Sequence, residues 1–319
     1  MIAGLLLGVA LTLAPVQHLS RIARSLLAFV PTLGLVGGLL VTTSSPASAA
    51  GCAVKNGRTT VVKATLQGAV DASSSGDTLV VSGTCVGKTS IRNTSLHLKG
   101  LATAEQPEPT LDGARLSRVL YIKDAHVTVR NLTVTRGKSE WGGGIMVDRG
   151  GRLVLEGTTS VSGNRSQIAG GIYLVHDGSA TMRDHATISG NLAKYRGAGM
   201  WINAYNEGGS LTMRDASSIV GNHTRIAGGG GIYNEAGTVR MSGTSSVSGN
   251  SAGYGAGIVV NDGATLILDG SASVTGNTSI NEGGGIYTEV PEDLVYVCSA
   301  QVAISPNSPD DPPATLPCP

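Results

Sequence analysis

The chain has 319 residues, of which 46 are Gly, 3% are aromatic and 14% are charged, and its formal net charge is +1. That balance offers no basic stripe for nucleic acid, a single Phe is too few for an aromatic-filled globular core, and glycine without a three-residue period excludes collagen. A hydrophobic share of 41% and a mean hydropathy of +0.13 exclude a disordered chain.

Residues 1–49 read as a secretory signal peptide. Met1–Val16 is apolar, Arg21 and Arg24 follow, a second apolar run covers Leu26–Val41, and Ala47-Ser48-Ala49 has the form of a cleavage site. The segment exceeds the usual ~15–30 residues, which fits either a long signal or a start placed upstream of the true one. A retained anchor is a third reading, though the second run carries Pro31, Gly34, Gly37 and Gly38 and is short for a span. No membrane span is expected after cleavage, and the address is secreted, extracellular or cell surface. Four cysteines follow the signal, and an even count outside the cytosol implies disulfides. The simplest pairing is Cys52–Cys85 and Cys298–Cys318, one clamp at each end. The run Ala49-Ala50-Gly51-Cys52 also reads as a loose lipobox, which would lipidate Cys52 instead.

Thr65–Ala72 has the pattern of a short amphipathic helix, stopped by Ser73–Gly76 and followed by a strand from Asp77 to Val81. Such a helix would cover the open end of a repeat structure, whose bare strand edge would otherwise aggregate. Residues 91–136 carry less regular strand-like runs. From Gly142 the chain repeats. GGGIM, GGIYL, GAGMW, GGGIY, GAGIV and GGGIY recur, placing Ile145, Ile172, Met200, Ile232, Ile258 and Ile286 about 28 residues apart. A Gly-Asn pair recurs with them, giving Asn164, Asn191, Asn222, Asn250 and Asn277.

Each unit holds three short strand-like runs and no helical period. Alternation assigns the inward positions. They are the Ile/Met column above, then Leu153, Ala180, Leu211, Val239 and Leu266, then Leu155, Met182, Met213, Met241 and Leu268, then Val161, Ile188, Ile219, Val247 and Val274. One unit cannot bury its own face, so the units must stack. The fold expected is all-β, a right-handed parallel β-helix solenoid over residues 50–304, with an N-terminal capping helix. Residues 305–319 form a Pro-rich tail. One Asn per coil at one turn predicts a structural ladder of amides. Asn164, Asn222 and Asn277 also lie in N-x-S/T sequons, for which the ladder is the stronger explanation.

The GGxI and Gly-Asn repeat resembles those of chlamydial polymorphic outer-membrane proteins and related secreted β-helix proteins of the pectin-lyase-like class, over roughly residues 60–290. The resemblance implies either an adhesin-like surface protein or a polysaccharide lyase or hydrolase. The paired carboxylates that glycoside hydrolysis needs do not stand out, and His97, His126, His176, His185 and His223 are scattered. No Cys/His metal spacing, phosphate loop or nucleophile elbow is present.

Two outward columns remain. Asp148, Asp177, Glu207, Glu235 and Asp262 fall in the turn before the second strand, either splayed into solvent or, stacked, sharing Ca²⁺; no other cofactor is expected. Tyr173, Trp201, Tyr233 and Tyr287 each follow an inward Ile or Met. They are expected to be displayed as a ring platform for carbohydrate or a surface protein, or to stack only for stability. The expected protein is a non-catalytic, monomeric surface binder. A pectin-lyase-like enzyme and a structural envelope protein are the alternatives.

Overall fold

The computed structural model describes residues 51–203, 209–288, 295–298 and 301–309. The signal segment, Glu207 and Cys318 lie outside them, so the cleavage site and the Cys298–Cys318 pairing do too.

The chain is an all-β parallel solenoid of about seven turns. One coil illustrates the rest. Ile145–Asp148 belongs to sheet I, Arg152–Glu156 to sheet II, Ser160–Ser162 to sheet III, and Arg165–Ile168 to sheet IV. The first three are the strands that the repeat predicts. The fourth is short and lies where the sequence shows only a polar link between the Asn and the glycine run. Sheets I and III have eight strands, sheet II has eleven and sheet IV has six.

The aliphatic columns stack in register. Ile145 pairs with Ile172, Ile172 with Met200 and Met200 with Ile232 in sheet I. Val161, Ile188, Ile219, Val247 and Val274 do the same in sheet III. All of these are fully buried, each burial contributing roughly 1.5–3 kcal/mol. The coil interior is therefore a continuous aliphatic stack with no room for large rings.

The corners are set by left-handed residues. Between sheets III and IV the position is glycine from Gly163 onward, with φ +65° there, a conformation that costs other residues a clash at Cβ. The next residue is the ladder asparagine. Asn222 shows the unit. Its Oδ1 accepts from the backbone N–H and the Nδ2 of Asn191, both at 3.0 Å. Its own Nδ2 donates to Ile188 O and Asn250 Oδ1, both at 3.0 Å. The pattern runs from Asn164 to Asn277. A Cβ on Gly171 would sit 2.4 Å from Gly199 O and 3.0 Å from Asn191 Nδ2. The glycine run is thus what lets the chain pass so close to the ladder.

Both ends add to the sequence reading. The helix is Leu66–Asp71, N-capped by Thr65, whose Oγ1 accepts from Gly68 N at 3.1 Å. Its Leu66, Ala69 and Val70 are buried against the first coils. Ala53–Asn56 and Val62–Lys63, not foreseen as strands, extend sheet II antiparallel and so cover its parallel edge. Cys52 and Cys85 form a disulfide. At the other end Asn307 is a further rung, its Oδ1 accepting from Asn277 N at 3.0 Å. Ala303 and Ser308 bridge to Ser273 and Thr278. The segment read as an irregular tail begins as one more coil.

Candidate functional site

Sheet I carries the expected ring column. Met146 pairs with Tyr173, then Trp201, Tyr233, Val259 and Tyr287 follow in register. These side chains do point away from the aliphatic interior, but they are not displayed. Tyr173, Trp201 and Tyr233 retain 1%, 7% and 2% of their surface, and Tyr287 is half-buried. They form a second hydrophobic cluster with Ala169 and Val175, against which Ile168 and Tyr254 pack. Tyr173 stacks on Trp201 at 5.0 Å, and Trp201 meets Tyr233 edge-on at 6.4 Å. The cause is sheet IV. Its strand ends and the following corner fold back onto this face, close enough that a Cβ on Gly197 would lie 2.8 Å from that of Trp201. An exposed ring platform is therefore corrected to a covered one. The repeat pattern shows no hydrophobic strand where sheet IV runs, and so no element that covers the rings.

The acidic column does not form. Asp148 and Glu235 share one column of sheet I, but Val175 and Asn203 stand between them. Asp177 lies two residues further round the corner and accepts from Gly150 N. Asp262 occupies a left-handed corner position, φ +54°, and Glu207 is outside the described residues. The coils differ in length at this corner, so lying in the same turn does not mean sharing one register. Among the described residues no three His, Cys, Asp or Glu side chains gather as a metal site, and no helix is long and apolar enough to cross a membrane.

Two features escaped sequence reasoning. The first is a polar cluster on the early coils of sheet I. Asp148 is buried and uses both oxygens: Tyr121 Oη donates to Oδ2 at 2.6 Å, and His176 Nδ1 lies 2.7 Å from Oδ1. Burial, then the bond to Asp148, pushes the Tyr121 hydroxyl up to about 12, so it stays a donor. The guanidinium of Arg92 lies 4.6 Å over the Tyr121 ring and that of Arg118 at 5.8 Å. Arg118 donates to Gly142 O and Ser139 Oγ, and burial lowers its pKa. Carrying the repeat register back to Thr89–Arg92 and Leu120–Lys123 would have aligned these residues.

The second is the outer face of sheet III. Its six regular strands are Thr133–Thr135, Ser160–Ser162, Thr187–Ser189, Ser218–Val220, Ser246–Ser248 and Ser273–Thr275. The first and last residue of each points outward and is part-exposed, and Val220 alone lacks a hydroxyl. Among the described residues none of these hydroxyls is used inside the protein. The signal was present as S-x-S and T-x-T triplets, which the inward Val and Ile column overshadowed.

The architecture and these faces define a parallel β-solenoid repeat protein. No protein family, curated protein or solved structure matches the chain.

Proposed function

We propose that the chain is a secreted or cell-surface solenoid that binds carbohydrate without cleaving it. The hydroxyl face of sheet III carries this reading. It is uncharged, flat and regular, with rows about 4.8 Å apart along the axis and about 6.6 Å apart along each strand. Hydroxyls both donate and accept, so such a net meets an ordered polyhydroxylated surface through many weak bonds whose effect multiplies. A flat face suits packed polysaccharide chains better than one sugar in a cleft. The adhesin-like half of the repeat resemblance agrees with this, the protein acts as a monomer, and no cofactor is required. Co-sedimentation with a panel of insoluble polysaccharides, with the supernatant assayed for released sugar, tests it. Retention without release is expected, and Ser162→Glu with Ser189→Glu should abolish it. Retention unchanged in that double variant would sink the reading.

The pectin-lyase-like enzyme is the second reading, favoured by Asp148 and His176. A buried carboxylate on Nδ1 orients the ring and leaves Nε2 for proton transfer. Sugar release that disappears in His176→Ala would replace the first reading with this one.

A further inference from the structure

The chain as a whole is nearly neutral, yet sheet IV is not. Lys138 stands directly opposite Arg165 on adjacent coils. Two coils further, Lys194 faces Arg225, whose register continues that of Ala193 and Thr224, with Ile226 N donating to Lys194 O at 3.0 Å. All four side chains are exposed. Among the described residues none of the four has a carboxylate within ion-pair distance. Like charges directly opposed in a sheet are destabilising, and here two such pairs stand on four consecutive coils with only Glu140 beside them. Rings lie alongside: Trp141 is 46% exposed, and Lys194 Nζ sits 4.7 Å over the Tyr195 ring.

We propose that this ridge docks a glycopolymer carrying phosphodiester groups, laid along the solenoid axis. One cation per coil, about 4.8 Å apart within each pair and with the second pair displaced two residues along the strand, complements a flexible chain with an anion in each repeat. Lys and Arg alternate, so the property shared by all four positions is positive charge and not a planar fork. A planar carboxylate gains most from Arg forks, whereas phosphate is bound by both residue types. Trp141 and Tyr195 offer apolar faces to the sugar or polyol between the charges. The site is separate from the hydroxyl face and does not rest on the reading given to it.

The test uses the mature chain and poly(glycerol phosphate) as probe, with polygalacturonate, dextran sulfate, neutral dextran and single-stranded DNA alongside. Binding to poly(glycerol phosphate) should exceed that to the others and weaken steeply with salt. Lys138→Glu with Arg165→Glu, and separately Lys194→Glu with Arg225→Glu, should each weaken it at least about tenfold. Ser162→Glu with Ser189→Glu should leave it unchanged. A single Lys138→Glu substitution makes an attractive pair with Arg165, so it should melt no lower than the parent, which keeps folding out of the result. Undiminished binding by both double reversals, salt-independent binding, or tighter binding to the carboxylate, sulfate or nucleic-acid probe would each overturn the proposal.

Discussion

Replacing Asn222 with Ala should be among the costliest single changes in the coil wall. Asn222 is fully buried. Its Oδ1 is the acceptor for two donors of the preceding rung, the backbone N–H and the Nδ2 of Asn191. Alanine leaves both donors in a dry interior. At about 1–3 kcal/mol for each orphaned buried donor, the loss is ~2–6 kcal/mol, centred near 4. The carbonyl of Ile188 also loses a donor, a smaller effect because carbonyls tolerate under-satisfaction better. Asn164 supplies an internal comparison. Its Oδ1 accepts from Gly137 N alone, at 2.8 Å, so Asn164→Ala should cost roughly half as much by the same rule. Urea unfolding followed by far-UV circular dichroism, with m-values compared to check that the same surface unfolds, measures both. If Asn222→Ala falls within about 1 kcal/mol of a surface control such as Ser218→Ala, the ladder is not what holds the corner. Equal losses at Asn222 and Asn164 would refute the donor count.

Three further outcomes follow from the same structure. Burial alone would raise the Glu156 carboxyl, but hydrogen bonds from Arg183 and Arg130 outweigh it and hold it below the ordinary range. The stability it contributes is complete above the unfolded value of about 4.3 and is lost as pH falls through the lower folded value. Glu156→Gln should therefore be less stable at neutral pH and show a shallower acid limb; an unchanged pH profile contradicts this. The Cys52–Cys85 bond spans 33 residues, so removing it should cost ~3–4 kcal/mol in the chain-entropy account, read as a lower melting point in reducing buffer that vanishes in the Cys52→Ser, Cys85→Ser variant. Asn164, Asn222 and Asn277 are fully buried, so passage through a glycosylating secretory pathway should add no glycan at these sequons, and peptide mass mapping that finds one would show the ladder open.

The interior was legible because it is repetitive. Ile145, Leu153, Leu155 and Val161 name columns that recur with the same polarity, and alternation alone orients them. The asparagines were legible for the same reason. Sheet IV was not. Its strands, such as Arg165–Ile168 and His223–Thr224, are short, polar on the outside and lined inside by small residues such as Ala193 and Thr224, so they carry no hydrophobic period to detect. Missing it reversed the expected exposure of Tyr173, Trp201 and Tyr233. The acidic column differs in kind: Asp148 and Asp177 share the turn before the second strand, but hydrogen-bond register sets Asp148 beside Val175.

A net charge of +1 from 23 basic and 22 acidic residues says nothing of where the two signs lie, and the solenoid sorts them. Acids are drawn to corners, where a left-handed Asp accepts a neighbouring backbone N–H. Asp184 takes that of Gly157 at 2.8 Å, and Asp215 takes that of Asp184 at 3.1 Å. Both corners lie between sheets II and III. Carboxylates committed there are not beside Lys138, Arg165, Lys194 and Arg225, which stand on sheet IV. A balanced total thus leaves these carboxylates committed to corner backbone N–H groups and away from the cationic ridge. In a fold whose inward positions are mostly taken by aliphatic residues, the outward columns are free to differ sheet by sheet. Sheet I is covered, sheet III is neutral and hydroxylated, and sheet IV is positive. A ligand that contacts several coils at once must therefore match one sheet, and charge substitutions on sheet III should leave binding on sheet IV intact.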